Sequence, residues 1–262
     1  MFPCRIGFAL LLAVVIAGSA GRAALAGAVE VAPTTIELSP RTGGALVRIT
    51  NRGAQAVTIQ VRPYDWRQVG GKDTLTPSTT LVVSPTTAQL PPGGRQVVRL
   101  RERGPALVGE QAHRLVISEL ASGDAVAAGQ VRMLLQFSLP VFGPPEGTGA
   151  ARLLWDARVA DGRLVLTAAN GGARHAKLVN LAILGEGAAS NSKLAPMAYV
   201  LAGASRSWRL PVGALAPPAN LMLTADDGLT GGPLTWNLKV RRFGDGPAGS
   251  LLRGLGLRDV GG

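Results

Sequence analysis

The sequence predicts an all-β chain made of two β-sandwich domains, and three observations carry that prediction. Short runs of alternating apolar and polar residues recur along the chain, while no stretch sustains a helical period. Turn residues punctuate these runs, drawn from 35 glycines and 18 prolines in 262 residues. The pattern pauses at the stiff turn Gly143-Pro144-Pro145-Glu146-Gly147 and then starts again, which marks a domain boundary.

Residues 1–26 read as a secretory signal peptide. Arg5 supplies the charge, Phe8 to Ala17 the apolar run, and Ala24-Leu25-Ala26 a small-residue cleavage site before Gly27. That run is short for a membrane span, and no later stretch is a better candidate, so a soluble, exported protein is expected. The single cysteine, Cys4, lies inside the signal, which leaves the mature chain no disulfide, thiol nucleophile or thiolate metal site. Loss of Arg5 and Arg22 takes the net charge from +11 to about +9. A basic surface suits an acidic protein, an anionic membrane or nucleic acid. Nucleic acid is not expected, because the Lys and Arg residues are scattered.

The first domain, residues 27–143, opens with Val29 to Leu38, where Pro33 marks an edge or a kink. Ala45 to Thr50 is a cleaner strand closed by the turn Asn51-Arg52-Gly53. Ala56 to Trp66 places Val57, Ile59 and Val61 on one face, and Gly70-Gly71-Lys72-Asp73 reads as a turn. Thr80 to Ser84, Gln96 to Arg101 and Arg114 to Leu120 follow, then a loop, then Gln130 to Phe142. Seven strands at this spacing suit an immunoglobulin-like sandwich.

The second domain, residues 147–243, repeats the pattern with less charge and more glycine. Its strands are Leu153 to Val159, Arg163 to Ala168, Ala176 to Leu184, Met197 to Leu201, Ser205 to Leu210, Asn220 to Ala225 and Leu234 to Val240. Residues 244–262 are Gly-rich and read as a flexible tail.

The run from Gln130 to Phe142 organises the rest. Val131, Met133, Leu135, Phe137, Leu139 and Val141 share one face, opposite Arg132, Leu134, Gln136, Ser138 and Pro140. Proline inside such a run assigns it to a sheet edge. A long apolar edge is an aggregation hazard unless another polypeptide is meant to pair with it by β-augmentation.

Catalytic chemistry finds no foothold in the residue pattern. His113 and His175 are the only histidines and have no G-x-S-x-G elbow beside them, so both read as structural. Two histidines without cysteine make a zinc or copper site improbable. Asp226-Asp227-Gly228 lacks the alternating acidic series of a calcium loop and reads as a turn. Trp66, Trp155, Trp208 and Trp236 are dispersed and read mostly as core. The expectation is a binding protein, with no enzyme activity, cofactor or metal.

At this point the residues resemble a known family, the periplasmic chaperones of the chaperone–usher pathway that build pili. Leu46 to Asn51 looks like the second strand of their first domain. Leu90-Pro91-Pro92-Gly93-Gly94, followed by Arg95-Gln96-Val97-Val98-Arg99-Leu100, is similar to the family's Leu-x-Pro-Gly turn and Val-Arg-Leu strand. Ser138-Leu139-Pro140-Val141-Phe142 resembles the archaic branch. So does Tyr199-Val200-Leu201-Ala202-Gly203-Ala204, with Ser205, Arg206 and Trp208 behind it.

The resemblance implies a boomerang of two immunoglobulin-like sandwiches in the periplasm. It would hold a pilus subunit whose own fold lacks a strand and deliver it to an outer-membrane usher. The last strand of the first domain would donate Val131, Met133 and Leu135, with Phe137 as a fourth, without cofactor or ATP. Better-known members grip the subunit's C-terminal carboxylate with an Arg and a Lys. The aligned positions here are Thr35 and Pro140, which carry no charge. Arg114, at the start of the neighbouring strand, is the candidate replacement, because a guanidinium matches a carboxylate bidentately. The family's linker Arg is also missing, with Pro144 nearby, which leaves open whether Asp226 or Asp227 braces the domains. Self-association through the donor edge is a further expected contact. The competing reading is a tandem-sandwich structural or adhesive surface protein. A free N-terminal donor segment ahead of one incomplete domain would mark a pilus subunit, whereas Gly27 to Leu38 leads into a full strand count.

Overall fold

The computed structural model describes residues 29–103, 109–121, 133–144, 149–184, 192–211 and 219–242, and every helical or extended element among them is a strand. The first sandwich packs two sheets. One contains β1 (Val29–Ala32), β3 (Gly44–Asn51), β8 (Arg95–Glu102) and β6 (Leu81–Ser84), in the order β1-β3-β8-β6. The other runs β2 (Ile36–Glu37), β10 (Gln136–Phe142), β9 (Ala112–Leu120), β4 (Val57–Val69) and β5 (Lys72–Pro77), with β7 (Thr87–Leu90) also paired to β4. Alternation decides the core. Val47, Ile49, Leu81, Val98 and Leu100 from one sheet join Ile59, Val61, Leu115, Ile117, Leu139 and Val141 from the other, all buried. Each such burial contributes about 1.5–3 kcal/mol.

The stretch from Val29 to Leu38, expected as one kinked strand, is two. β1 pairs antiparallel with β3, whereas β2 pairs in parallel with β10. Pro33 lies between them, where the chain changes sheets.

The second sandwich has β11 (Leu153–Ala160), β12 (Arg163–Asn170), β13 (Ala176–Leu184), β14 (Ser192–Val200), β15 (Ser205–Pro211), β16 (Ala219–Asp227) and β17 (Pro233–Arg242). They follow the path β14-β13-β16-β17-β11-β12-β15, with β17 and β11 joined by only two parallel pairs, Arg158 with Arg241 and Val159 with Arg242. Leu164, Leu166, Leu178, Leu181, Ile183, Val200 and Leu223 fill its core. Trp155, Trp208 and Trp236 pack together at its rim, with the Trp155 ring 5.6 and 5.2 Å from the other two.

One device appears in both sandwiches. Asn51 ends β3 and Asn170 ends β12, and both are fully buried. The Asn51 amide donates to the carbonyls of Gln55, Leu90 and Pro91, and its Oδ1 accepts from Gly53 N–H. The Asn170 amide donates to the carbonyls of Arg174 and Val200, and its Oδ1 accepts from Arg152 and Gly172 N–H. Each therefore ties its own turn to the distant Leu90–Gly94 or Leu201–Ala204 turn. Gly93 N–H donates to the Asn51 carbonyl and Gly203 N–H to that of Asn170, and both glycines have positive φ. These are the Pro-Gly and Ala-Gly turns on which the family resemblance rests.

Two expectations need correction. The turn at residues 70–73 is confined to Gly70 and Gly71, while Lys72 and Asp73 begin β5. All six residues of β5 are exposed, so no alternation betrays it. The organising run begins as a strand only at Gln136; Met133, Leu134 and Leu135 precede it without strand pairing, and residues 130–132 lie outside the described residues.

Candidate functional site

β10 is the strand on which the site is built. It pairs along its whole length with β9, from Gln136 with Ser118 to Phe142 with Ala112. The Leu135 carbonyl accepts from Glu119 N–H at 2.9 Å, and Gly143 N–H donates to the Gln111 carbonyl at 2.8 Å, so odd-numbered backbone groups face β9. On the opposite side the Phe142 carbonyl accepts from Leu38 N–H at 2.8 Å. β2 covers that outer side only at Val141 and Phe142. Among the described residues, Gln136 and Ser138 therefore have no strand paired on that side. The N–H that proline lacks would have pointed outward, so the β9 ladder loses nothing.

Side chains along this edge grade from core to solvent. Leu139 and Val141 are buried, Leu135 and Phe137 are half-buried against the rim of the core, and Met133 is 79% exposed. Leu134, on the other face, is 47% exposed. Val131 lies outside the described residues.

A cleft between the sandwiches opens beside this strand. Arg114, opposite Pro140 on β9, lays its guanidinium 3.8 Å above the Trp66 ring and 5.7 Å from that of Tyr199. Its one hydrogen bond among the described residues is a long one, 3.4 Å, to the Ser138 carbonyl. Burial pushes this guanidinium below its ordinary value, Asp73 and Tyr199 push it back up, and Arg206 lowers it. It still carries its charge at neutral pH. Among the described residues its five N–H donors therefore have one weak acceptor.

The two sandwiches meet through residues that local patterning did not single out. The β4–β5 hairpin runs beyond its own core and touches β14 and β15. Gln68 donates to the Tyr199 carbonyl at 2.9 Å and accepts from Leu201 N–H at 3.0 Å. Asp73 accepts from Arg206 at 2.9 Å, Trp66 Nε1 at 3.0 Å and Gln68 at 2.9 Å. Partial burial raises the Asp73 carboxyl, and these hydrogen bonds together with the Arg206 charge outweigh it, holding the group below the usual range. Trp66, Phe142, Tyr199 and Leu201 form a separate buried cluster beneath. Phe142, on the polar side of the predicted strand pattern, is thus a hinge residue. Asp226 bonds Asn180 and Asp227 caps its own turn at Leu229 and Thr230. Their recorded side-chain hydrogen bonds lie within the second sandwich.

Both histidines are buried against carboxylates. His113 sits between Asp65 (Nδ1 to Oδ1, 3.0 Å) and Glu102 (Nε2 to Oε1, 3.2 Å). His175 reaches across the hinge to Glu110 at 2.6 Å, with both side chains 1% exposed. No group of three or more His, Cys, Asp or Glu suited to a metal occurs among the described residues.

Residues 28–149 match the family described as pili and flagellar-assembly chaperone, PapD N-terminal domain. The first sandwich belongs to this PapD-type chaperone family. Solved pilus chaperones share the fold of the chain. One is in the complex of CsuC with the tip adhesion subunit CsuE, from the archaic chaperone–usher Csu pili of Acinetobacter baumannii. It has a TM-score of 0.63 and 20% identity over 83% of this chain and all of that one. The SafB chaperone, solved with the Salmonella enterica pilin SafA, gives 0.58 and 14% over 79% of this chain and 95% of that one. The Pseudomonas aeruginosa chaperone CupB2 gives 0.52 and 14% over 79% and 98%. No curated protein sequence matches the chain.

Thr35 and Pro140, the two positions expected at the carboxylate anchor, supply no cation, and Arg114 stands opposite Pro140 on β9. Met133, Leu135 and Phe137 lie in succession at the open end of β10. Sequence reading names Asp73 and Arg206 in separate segments and does not pair them. A turn aspartate and a strand arginine 133 positions apart carry no local signal of their pairing.

Proposed function

We propose that this chain is a periplasmic chaperone that holds pilus subunits by donor-strand complementation and passes them to an outer-membrane usher. The edge at Gln136 and Ser138, unpaired among the described residues and continued by Phe137, Leu135 and exposed Met133, carries the reading. An incoming subunit would take its missing ladder bonds from that edge and receive Val131, Met133, Leu135 and Phe137 in its groove. Each anchor would contribute about 1.5–3 kcal/mol before ordering costs. Arg114 would receive the subunit's C-terminal carboxylate, with Trp66 and Tyr199 holding the guanidinium flat. Without a subunit, the same edge is where a second copy of the chain would pair.

Co-expression with a pilus subunit from the same genome tests this. Wild type should yield a soluble one-to-one complex, and Met133→Arg plus Leu135→Arg should lose it while remaining folded. Retention of the subunit by the folded double variant would overturn the reading and favour a structural or adhesive tandem sandwich.

A further inference from the structure

The cleft that holds Arg114 already contains a carboxylate. Asp73 lies at the start of β5 and uses Oδ1 to accept from Trp66 Nε1 at 3.0 Å and from Gln68 Nε2 at 2.9 Å. Its Oδ2 accepts from Arg206 Nη1 at 2.9 Å. The first two donors belong to the same hairpin as Asp73, whereas Arg206 comes from β15 of the second sandwich. Among the described residues Asp73 is the only acceptor that Arg206 has. The pair is part-exposed, with side chains 36% and 27% accessible, so solvent and ligand reach it. Arg114 is linked to this pair through Trp66: its guanidinium lies 3.8 Å above the ring whose Nε1 donates to Asp73.

Counting donors shows what this arrangement permits. Two guanidinium groups offer ten N–H bonds, of which the cleft uses one to Asp73 and one long bond to Ser138. Asp73 keeps two good donors even if Arg206 leaves it. Two cations on either side of Trp66 that share one nearby carboxylate gain from a second, and a guanidinium pairs with a carboxylate bidentately.

We propose that Asp73 is a resident carboxylate which the subunit's C-terminal carboxylate displaces from Arg206, so that Arg114 and Arg206 clamp the ligand together. This rests on the reading that Arg114 receives that carboxylate, and adds a specificity residue from the second sandwich. Asp73 stays on Trp66 and Gln68. Capture of cargo therefore exchanges a bond between the sandwiches for a bond to the ligand, and Asp73 acts as a built-in competitor that weakens binding and eases release.

The test uses the full chain and a pilus subunit prepared in two forms, with a free C-terminal carboxylate and with that carboxylate converted to an amide by ligation. Asp73→Asn should bind the free-carboxylate form about threefold to tenfold tighter than wild type, and Arg206→Gln about tenfold weaker. Arg206→Lys, which keeps the charge and the hinge contact, should fall between. All three effects should shrink below about twofold against the amidated form. Asp73→Asn that weakens binding or leaves it unchanged, or effects that persist against the amide, would overturn the proposal and make the pair a structural brace. Wild type that distinguishes the two forms through Arg114, shown by loss of discrimination in Arg114→Gln, while Asp73→Asn and Arg206→Gln change nothing, sinks this proposal alone. Wild type that does not distinguish them sinks both.

Discussion

Phe142 and His175 lie ring on ring, with centroids 3.6 Å apart and planes 9° from parallel. Phe142 ends the edge strand of the first sandwich, and His175 begins the approach to β13 in the second, tied to Glu110 by both its backbone N–H and its Nδ1. The contact couples the site strand mechanically to the other domain. Truncating Phe142 opens a cavity among Trp66, Tyr199 and Leu201. Phe142→Ala should lower unfolding stability by about 3–5 kcal/mol. It should also split urea unfolding into two transitions, one per sandwich, when followed by tryptophan fluorescence. A single transition with an unchanged midpoint would show that the hinge packing is dispensable.

The matched roles of Asn51 and Asn170 make a paired prediction. Each side-chain amide donates to one buried carbonyl, of Leu90 or Val200, and to a part-buried one in its own turn. Asn51→Ala and Asn170→Ala should each cost about 2–3 kcal/mol in chemical denaturation, since buried carbonyls lose their partners. Asn→Asp at either site should be no milder, because a carboxylate accepts and does not donate. Equal loss in both sandwiches would show that the turn clasp does the same work twice.

Gly71 offers a steric test of the hairpin's docking. Its φ is +75°, and a Cβ there would meet Ser207 Oγ at 2.8 Å and Ser207 N at 3.1 Å. Gly70, with φ +58°, has nothing within 4 Å of its own added Cβ. Both alanine variants carry a left-handed backbone penalty of about 1 kcal/mol. Only Gly71→Ala should also disturb the contact with β15. Thermal unfolding should therefore rank wild type above Gly70→Ala, and Gly70→Ala above Gly71→Ala. Identical losses in the two variants would mean that the hairpin tip does not press on the second sandwich.

Acid should loosen the brace between the sandwiches at one end of the pH scale only. The Asp73 carboxyl is held below its ordinary value of about 4 in the folded state. Its contribution is therefore fully present above the unfolded value and fades as pH falls through the folded one. Urea midpoints should show no Asp73 effect between about pH 5 and 8 and a declining one below about pH 4. Asp73→Asn should flatten that acid limb relative to wild type. An acid limb of equal slope in the variant would place the titration elsewhere.

Much of the fold was legible because burial leaves a local rhythm. Val57, Ile59 and Val61 alternate with polar residues, and so do Val47 and Ile49, and these are the side chains that fill the first core. Pro140 reads as the mark of an edge strand, and its missing N–H does point away from β9, but the two-residue β2 lies on that outer side at Val141 and Phe142. The first half of β14, from Ser192, went unread because Ser192 to Pro196 alternates poorly and is only partly covered. Phe142 falls by alternation on the side of Gln136, Ser138 and Pro140, and nothing beside it in sequence shows that Tyr199 and His175 will cover it.

The sequence by itself determined which segments become strands, where the chain turns, and that one apolar strand ends on a proline-marked edge. Those properties depend on side-chain alternation and on backbone chemistry within a few residues. Only the tertiary structure decided that Arg114 lies over the Trp66 ring beside Tyr199 and that Asp73 meets Arg206 from the other sandwich. A charged or aromatic side chain in an exposed strand has no periodic signature. Its partner is chosen by how two separately folded sandwiches come to rest against each other, which no local pattern encodes.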